Sequence, residues 1–280
     1  MTRYSITRNG ALGDILCILN LRDQIRAKYG PFDLYSHPSC YRILSQFITD
    51  NNLCDGFFTT ESVPNNSVSL TCYPMHEGYP NSKPNKHLYK YIQDELHLTP
   101  TPLESLPLLT LKRPECFGPK NITIQGKTGW SIYKEYPHNQ ELIRRLAALD
   151  FKIIQIGGPD DPPLPGIDAH LLGRKFEEQV AAQCWADLHI GPDSVFNHTS
   201  NYEWSHKNKR TPSIIYFGST SSSLSGYDFN CNVSLGLECQ PCFRENPGVS
   251  TQKTDPCPFQ HKCLKDLTVD QIVGKVEELI

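Results

Sequence analysis

The stretch from residue 186 to 198 joins a short apolar segment to residues that could bind phosphate. Its sequence is Ala-Asp-Leu-His-Ile-Gly-Pro-Asp-Ser-Val-Phe-Asn-His. This pattern predicts a strand, a turn at Gly191-Pro192, and a helix that begins at Asp193-Ser194. A helix N-terminus presents unpaired N–H groups and a partial positive charge, which suit a phosphate or diphosphate. His198 follows one turn later. A lone helical histidine is more often structural, but the preceding turn favours a functional role.

A second turn of the same kind lies near the N-terminus, where Arg8-Asn9-Gly10-Ala11-Leu12-Gly13-Asp14 follows a short strand and precedes an amphipathic helix. Asp14 has two interpretations. It is either a first-turn carboxylate that stabilises the helix by about 0.5–2 kcal/mol, which is the commoner role, or a general base that faces a cleft. Two such sites, one in each half of the chain, indicate two α/β domains that face each other.

Two more groups follow predicted strands. Lys127 and Lys134 come after a strand at 121–125; such lysines are usually solvated, but they could neutralise phosphates. Gly157-Gly158-Pro159-Asp160-Asp161 follows a buried strand, at the end where open α/β sheets bind ligands. A carboxylate there can accept a hydrogen bond from a ribose, and a plain polar turn is an equal interpretation.

Cysteines cluster near the C-terminus. Cys239, Cys242, Cys257 and Cys263 have the spacing C-x2-C-x14-C-x5-C, with His261 nearby. Two cysteines separated by two residues suit a tetrahedral metal site. A bound zinc or iron and unmetallated thiols both stay open. A disulfide is disfavoured because the N-terminus lacks the apolar core of a signal peptide, so we expect a cytoplasmic protein.

Composition sets wide bounds on the function. The chain has 280 residues, of which 38% are hydrophobic and 20% charged, enough for one large or two ordinary domains. The formal net charge of −3 gives no overall attraction to nucleic acid or to an anionic membrane. No apolar run approaches the ~20 residues that span a bilayer, so no transmembrane segment is expected.

Apolar periodicity alternates between strand and helix along most of the chain, which indicates parallel, doubly wound sheets. The predicted strands are 3–7, 32–35, 68–73, 121–125, 151–156, 188–190 and 213–217. The predicted helices are 14–28, 40–48, 86–96, 138–149, 174–185 and 267–280. A Pro- and Leu-rich stretch at 99–119 is interpreted as a linker. We therefore expect Rossmann-like domains at 1–115 and 116–280.

Taken together, the motifs resemble those of the ADP-heptose:lipopolysaccharide heptosyltransferases, which form glycosyltransferase family 9. Gly13-Asp14 is similar to the family's N-terminal Gly-Asp motif, and Lys134-Glu135-Tyr136-Pro137 to its Lys-x-Trp-Pro element. The turn at 157–161 resembles its Gly-rich turn, and 191–198 its Gly-x-Asp-x-Gly-x-x-His motif. The tail resembles the Cys-x-Pro-Cys…Cys-Pro…Cys end of many members, and in a related branch that glycosylates bacterial autotransporters comparable cysteines carry iron.

The resemblance implies a GT-B arrangement and an inverting transfer of a sugar, with heptose as the candidate sugar, from a nucleotide-diphosphate donor to an acceptor hydroxyl. The donor would be an ADP-sugar held mainly by the second domain. Asp14 would be the catalytic base, Lys134 would contact the donor phosphates and Asp161 the ribose. The full donor-binding set would be Gly13, Lys127, Thr128, Lys134, Gly158, Asp161, Asp193, Ser194, Val195 and His198. Catalysis would need no metal, and any zinc or iron on the four cysteines would be structural.

The chain also departs from the family pattern. Val195 stands where the family usually has Gly, Tyr136 replaces Trp, and the N-terminal, acceptor-side half is short. The acceptor therefore stays open between a glycan, a protein side chain and a modified nucleobase, with the acidic balance counting mildly against DNA. Two other functions stay open: a sugar-nucleotide epimerase of the same fold and a non-catalytic nucleotide-sugar-binding module.

Overall fold

The computed structural model describes residues 3–71, 86–103, 106–109, 111–129, 131–204, 210–243 and 256–280. Within these ranges the chain forms two parallel sheets with interleaved helices, and a small two-stranded sheet. None of the described helices is both long enough and apolar enough to cross a membrane.

The first sheet contains four parallel strands in the order β3-β2-β1-β4. The strands are β1 (Tyr4–Arg8), β2 (Phe32–Ser36), β3 (Gly56–Thr59) and β4 (Val68–Ser69). The helices of this half are α1 (Leu12–Leu19), α2 (Arg22–Tyr29), α3 (Pro38–Asp50) and α4 (Leu88–Glu95). The predicted strand at 68–73 is thus confirmed at its start, and its last two residues lie outside the described residues.

The second sheet contains six parallel strands in the order β12-β11-β9-β6-β7-β8. Its strands are β6 (Asn121–Ile124), β7 (Lys152–Gln155), β8 (Ala169–His170), β9 (Leu188–Pro192), β11 (Ser213–Tyr216) and β12 (Cys231–Val233). The helices are α5 (Asn139–Ala147), α6 (Phe176–Trp185), α7 (Val195–Thr199), α8 (Ser222–Ser225), α9 (Lys262–Lys265) and α10 (Val269–Leu279). A capping box at Thr268 and Gln271 fixes the start of α10.

Three local predictions are wrong. The single helix expected at 14–28 is two helices, because the hydrogen bond from Leu21 N to Ile18 O tightens the chain into a 3₁₀ turn between them. Gly191-Pro192 is not a turn, since both residues end β9 and lie opposite Ile215 and Tyr216. The expected linker contains β5 (Leu106–Leu109), which pairs with β10 (Tyr202–Trp204), a partner far away in sequence.

The two halves share one apolar core. Phe47 of α3 meets Phe176 of α6 edge-on, with ring centroids 5.1 Å apart, and the Tyr202 ring at 5.8 Å. These rings belong to a buried cluster that extends from the first sheet to α6 and α7, while a second cluster packs α5 and α10 against the second sheet. Because apolar packing joins the halves, the ends of β1 and β9 are held in a fixed relation.

Candidate active site

The turns that follow β1 and β9 line the same cavity, which has a volume of about 400 Å³. This size is typical of small-molecule sites. Its walls include eight of the predicted site residues: Gly13, Asp14, Thr128, Lys134, Asp193, Ser194, Val195 and His198. Lys127, Gly158 and Asp161 are not among its lining residues. The structure thus brings together the two motifs that lie about 180 residues apart in the sequence.

Asp14 enters the cavity paired with an arginine. Its side chain is 6% exposed, and its Oδ2 lies 2.6 Å from Arg8 Nη2 and 3.1 Å from Arg8 Nε. Arg8 Nη1 also donates to the carbonyl of Leu70 at 3.2 Å, which anchors the guanidinium. A Cβ at Gly10 would collide with both side chains of this pair. Asp14 therefore lies in the first turn of α1, but its carboxylate forms an ion pair with Arg8 through Oδ2. Its other oxygen, Oδ1, accepts no hydrogen bond from the described residues.

Lys134 and Asp193 form the second ion pair of the cavity. Lys134 Nζ lies 3.1 Å from Asp193 Oδ2 and donates to the Asp193 carbonyl at 3.1 Å. Asn197 Nδ2 donates to Oδ1 at 3.2 Å. Burial alone would raise the pKa of Asp193, but Lys134, His198 and two hydroxyl groups together bring it below its ordinary value. Asp193 is therefore ionised, and it holds the Lys134 ammonium at the cavity wall.

The predicted phosphate-binding helix start at residues 193–194 differs in detail from the expectation. The helix begins at Val195, after Ser194 in an extended conformation, and it is only five residues long. Ser194 Oγ donates to Gln125 Oε1, and Gln125 Nε2 donates to the Lys127 carbonyl at 2.9 Å. So short a helix has a weak macrodipole. Lys134 Nζ is therefore the better-placed group on this wall to contact a phosphate directly.

His198 lies between the two halves of the chain. Its Nδ1 is 2.8 Å from the Tyr227 hydroxyl and 3.5 Å from Cys17 Sγ. A Cβ at Gly13 would be 2.8 Å from the ring's Cδ2 and 2.9 Å from Nε2, so only glycine leaves room for the ring. Burial lowers the pKa of His198, and the nearby Asp193 and Asp14 offset this only in part. The imidazole is therefore neutral near pH 7.

Asp161, the residue predicted to contact the ribose, does not line the cavity. Asp161 Oδ2 accepts a hydrogen bond from Gly158 N at 2.9 Å, which closes the turn after β7. Burial raises the pKa of Asp161 and of Glu135, and Lys127 lowers both in part. Lys127 is thus close to the carboxylates of Asp161 and Glu135, and the next residue in the chain, Thr128, lines the cavity.

Sequence reasoning missed several residues of the site. Arg8 and Gln125 end strands or follow them directly, so the rule that ligands bind at the carboxyl ends of parallel strands could have found them. Tyr227 and Asn20 gave no signal, because each acts through a contact between distant parts of the chain. Asn20 Nδ2 donates to the Tyr227 hydroxyl at 3.2 Å and to the His198 carbonyl at 3.4 Å.

The four predicted metal ligands share one neighbourhood without forming a ready metal site. Burial is the main cause that raises the pKa of Cys263 to about 12, and the nearby Cys242, Cys239 and Cys257 contribute to the rise. None of the four is in a disulfide bond with a described residue. Nevertheless, no three His, Cys, Asp or Glu side chains within the described ranges are arranged to hold one metal ion. Four thiols are still a donor set that is chemically suited to zinc or iron.

Solved structures resemble the whole chain, although no family model and no curated protein matches its sequence. The iron-containing dodecameric glycosyltransferase TibC from enterotoxigenic E. coli H10407 is 15% identical, with a TM-score of 0.71 over 99% of this chain and 76% of that one. E. coli ADP-heptose lps heptosyltransferase II is 13% identical, with a TM-score of 0.65 over 99% and 98%. E. coli heptosyltransferase WaaC with ADP is 15% identical, with a TM-score of 0.61 over 100% of both chains. The chain therefore has the GT-B-like α/β fold of the heptosyltransferases, and the predicted resemblance to their family is confirmed for the fold.

Proposed function

We propose that the chain is an inverting glycosyltransferase that moves a sugar from a nucleotide-diphosphate donor to an acceptor hydroxyl. One observation carries the proposal: Asp14 from the first half and the Lys134–Asp193 pair from the second line the same cavity. A direct displacement needs a base for the nucleophile and a cation for the leaving group, and both residue types line this one cavity.

Asp14 is the proposed base. Arg8 occupies Oδ2, so Oδ1 is the oxygen that can accept the proton of the acceptor hydroxyl. The acceptor oxygen then forms its bond to the anomeric carbon while the bond from that carbon to the donor phosphate breaks. Attack from the side opposite the diphosphate inverts the configuration at the anomeric carbon.

The leaving diphosphate takes the electron pair of the broken bond and gains negative charge. Lys134 is placed to stabilise that charge, because Asp193 fixes its Nζ at the wall. Ser194, Val195 and His198 line the same wall and add polar and apolar contacts to the donor. We place the nucleoside beside Thr128, where Lys127, Gly158 and Asp161 lie together.

An ADP-sugar is the favoured donor, with heptose as a possible sugar. The support is the fold shared with structures described as containing ADP or ADP-heptose derivatives. The first half, residues 1–115, is proposed to hold the acceptor and residues 116–280 the donor. The candidate acceptors are a glycan, a protein and a modified nucleobase, and a cytoplasmic location stays a prediction.

A structural zinc or iron on Cys239, Cys242, Cys257 and Cys263 is a separate proposal. Its support is the common neighbourhood of the four thiols and the similarity in fold to the iron-containing TibC. Metal analysis of the purified protein tests it, and a metal content well below one ion per chain would refute it. No step of the transfer depends on this ion.

Ligand binding and transfer should be measured separately. Thermal melting with ADP, other nucleoside diphosphates and nucleotide sugars identifies the donor, since a ligand that binds only the folded state raises the melting temperature. The D14N variant should keep the shift produced by the donor and lose transfer by at least a hundredfold. Unchanged transfer in D14N contradicts the mechanism. Product formed without any acceptor indicates an epimerase, and binding without turnover indicates a binding module.

A further inference from the structure

The hydroxyl of Tyr227 lies at the centre of a buried polar cluster beneath the cavity. It is 2.8 Å from His198 Nδ1, 3.2 Å from Asn20 Nδ2 and 3.5 Å from Cys17 Sγ. Tyr227, His198 and Asn20 are all buried. Cys17 belongs to α1 and Asn20 follows its last residue, whereas His198 and Tyr227 belong to the second half, so this cluster joins the halves beside the proposed reaction site.

The direction of the hydrogen bonds follows from the donors present. The Asn20 amide N–H can only donate, so the Tyr227 oxygen accepts from it. Tyr227 has one proton, and its nearest acceptor is His198 Nδ1. The alternative would turn that proton towards the sulfur of Cys17, which is farther away and a weak acceptor. Burial also raises the pKa of Cys17 to about 12, which keeps the sulfur a thiol.

We propose that Tyr227 is a positioning residue, which holds neutral His198 in the Nε2–H tautomer and so makes it a hydrogen-bond donor at the cavity. Nε2 is the ring nitrogen that faces Gly13, where a Cβ would approach to 2.9 Å. Gly13 and Asp14 line the cavity on that side. The Nε2–H group therefore meets a bound donor at the junction of the two walls, close to the proposed base.

The role of this N–H depends on the proposed function. In the transfer, a neutral donor at this point stabilises an oxygen of the donor substrate as charge develops, without adding a further cation to the site. If Nδ1 instead held the proton, Nε2 would present a lone pair to the same oxygen and repel it. The tautomer itself is a property of the chain and can be measured with no substrate.

The direct test is nitrogen NMR on protein labelled with ¹⁵N-histidine, because protonated and unprotonated ring nitrogens resonate far apart. The wild-type spectrum should show Nδ1 of His198 unprotonated and Nε2 protonated, with the signals assigned by their loss in H198Q. Addition of ADP should shift the Nε2 resonance more than that of Nδ1. A wild-type ring with its proton on Nδ1, or a charged ring, would overturn the proposal, and this measurement needs no variant of Tyr227.

Two variants test whether Tyr227 determines the tautomer of His198. Y227F removes the donor to Nδ1, and Y227F/C17A also removes the thiol that could replace it, so both should show mixed tautomers. Y202F is the matched control, because Tyr202 is also fully buried and its hydroxyl has no hydrogen-bond partner among the described residues. An unchanged tautomer in Y227F/C17A would refute the assignment to Tyr227.

Kinetic measurements then show whether Tyr227 positions His198 for the reaction or only supports the fold. In Y227F the kcat should fall about five- to tenfold, the effect of losing one ordinary hydrogen bond, while the KM for the donor changes less than about twofold. An equal loss in Y202F, or a kcat of Y227F equal to wild type, would contradict the proposal. If no sugar transfer is found with any donor, the proposed function fails, and the tautomer measurement still decides the inference about Tyr227.

Discussion

Replacement of Gly13 by alanine tests whether His198 fills the space above α1. The new Cβ would lie 2.8 Å from Cδ2 and 2.9 Å from Nε2 of the ring, closer than carbon atoms normally approach. The ring cannot easily move away, since Tyr227 binds its Nδ1 at 2.8 Å and the residue is buried. Either α1 or the ring must shift, which typically costs about 1–3 kcal/mol.

A gain in helix propensity offsets part of that cost. Alanine is favoured over glycine within a helix by up to about 1 kcal/mol. We therefore expect G13A to lower the free energy of unfolding by about 1–2 kcal/mol, measured by urea denaturation. G274A is the matched control: Gly274 lies within α10 and a Cβ there would meet no atom within 4 Å. It should raise the free energy of unfolding by about 0.5–1 kcal/mol.

The opposite signs of the two changes are the critical result. G13A that stabilises the protein as G274A does would show that the ring of His198 is not above Gly13. A double-mutant cycle sharpens the test, because in an H198A background the added methyl group has room and G13A should no longer be destabilising. An unchanged cost of G13A in that background would place the clash elsewhere and refute the geometry of the junction.

Two further perturbations address charge in the fold. R8M leaves the Asp14 carboxylate buried without its partner and should lower the free energy of unfolding, measured by urea denaturation, by about 3 kcal/mol. R3M breaks the more exposed Arg3–Asp33 pair and should lower it by less than about 1 kcal/mol. Equal losses in the two variants would contradict a buried Arg8–Asp14 pair. Burial, with the nearby His198, lowers the pKa of His87 to about 3. Neutral His87 therefore contributes its full share of the free energy of unfolding above the unfolded pKa of about 6.5, and this contribution is lost as the pH falls towards 3. At pH 5 that loss is about 2 kcal/mol, and H87N, which can still cap α4, should remove it from the pH dependence of the urea midpoint. H37N makes the same change at the exposed N-cap of α3 and is the matched control.

The fold was largely predictable because alternation of strands and helices is a local property of sequence. Errors arose where a distant partner decides the structure. β5 has no clear periodicity of its own and is a strand because β10 offers it hydrogen bonds. Gly191-Pro192 has the composition of a turn, yet pairing with β11 keeps both residues extended. The domain boundary at 115/116 stays a prediction.

The site could be predicted in part for a similar reason. Residues after parallel strands gather at one edge of a sheet, so Asp14, Lys134 and Asp193 could be expected near a common ligand. Their immediate partners could not be predicted, because the sequence does not state which distant side chains meet. Arg8 on Asp14 and Tyr227 on His198 are contacts of this kind, and both change the chemistry of the predicted residue.

The paired charges of the cavity set a condition on how a donor binds. Arg8 is compensated by Asp14 and Lys134 by Asp193, so these four side chains contribute no net charge to the walls. A diphosphate cannot be attracted there by surplus positive charge, and its binding must depend on directed contacts with groups already fixed in place. Lys134 is held by two oxygen atoms of Asp193, and His198 by Tyr227. Preorganised groups of this kind act most strongly where charge develops during reaction, which favours the transition state over the bound donor.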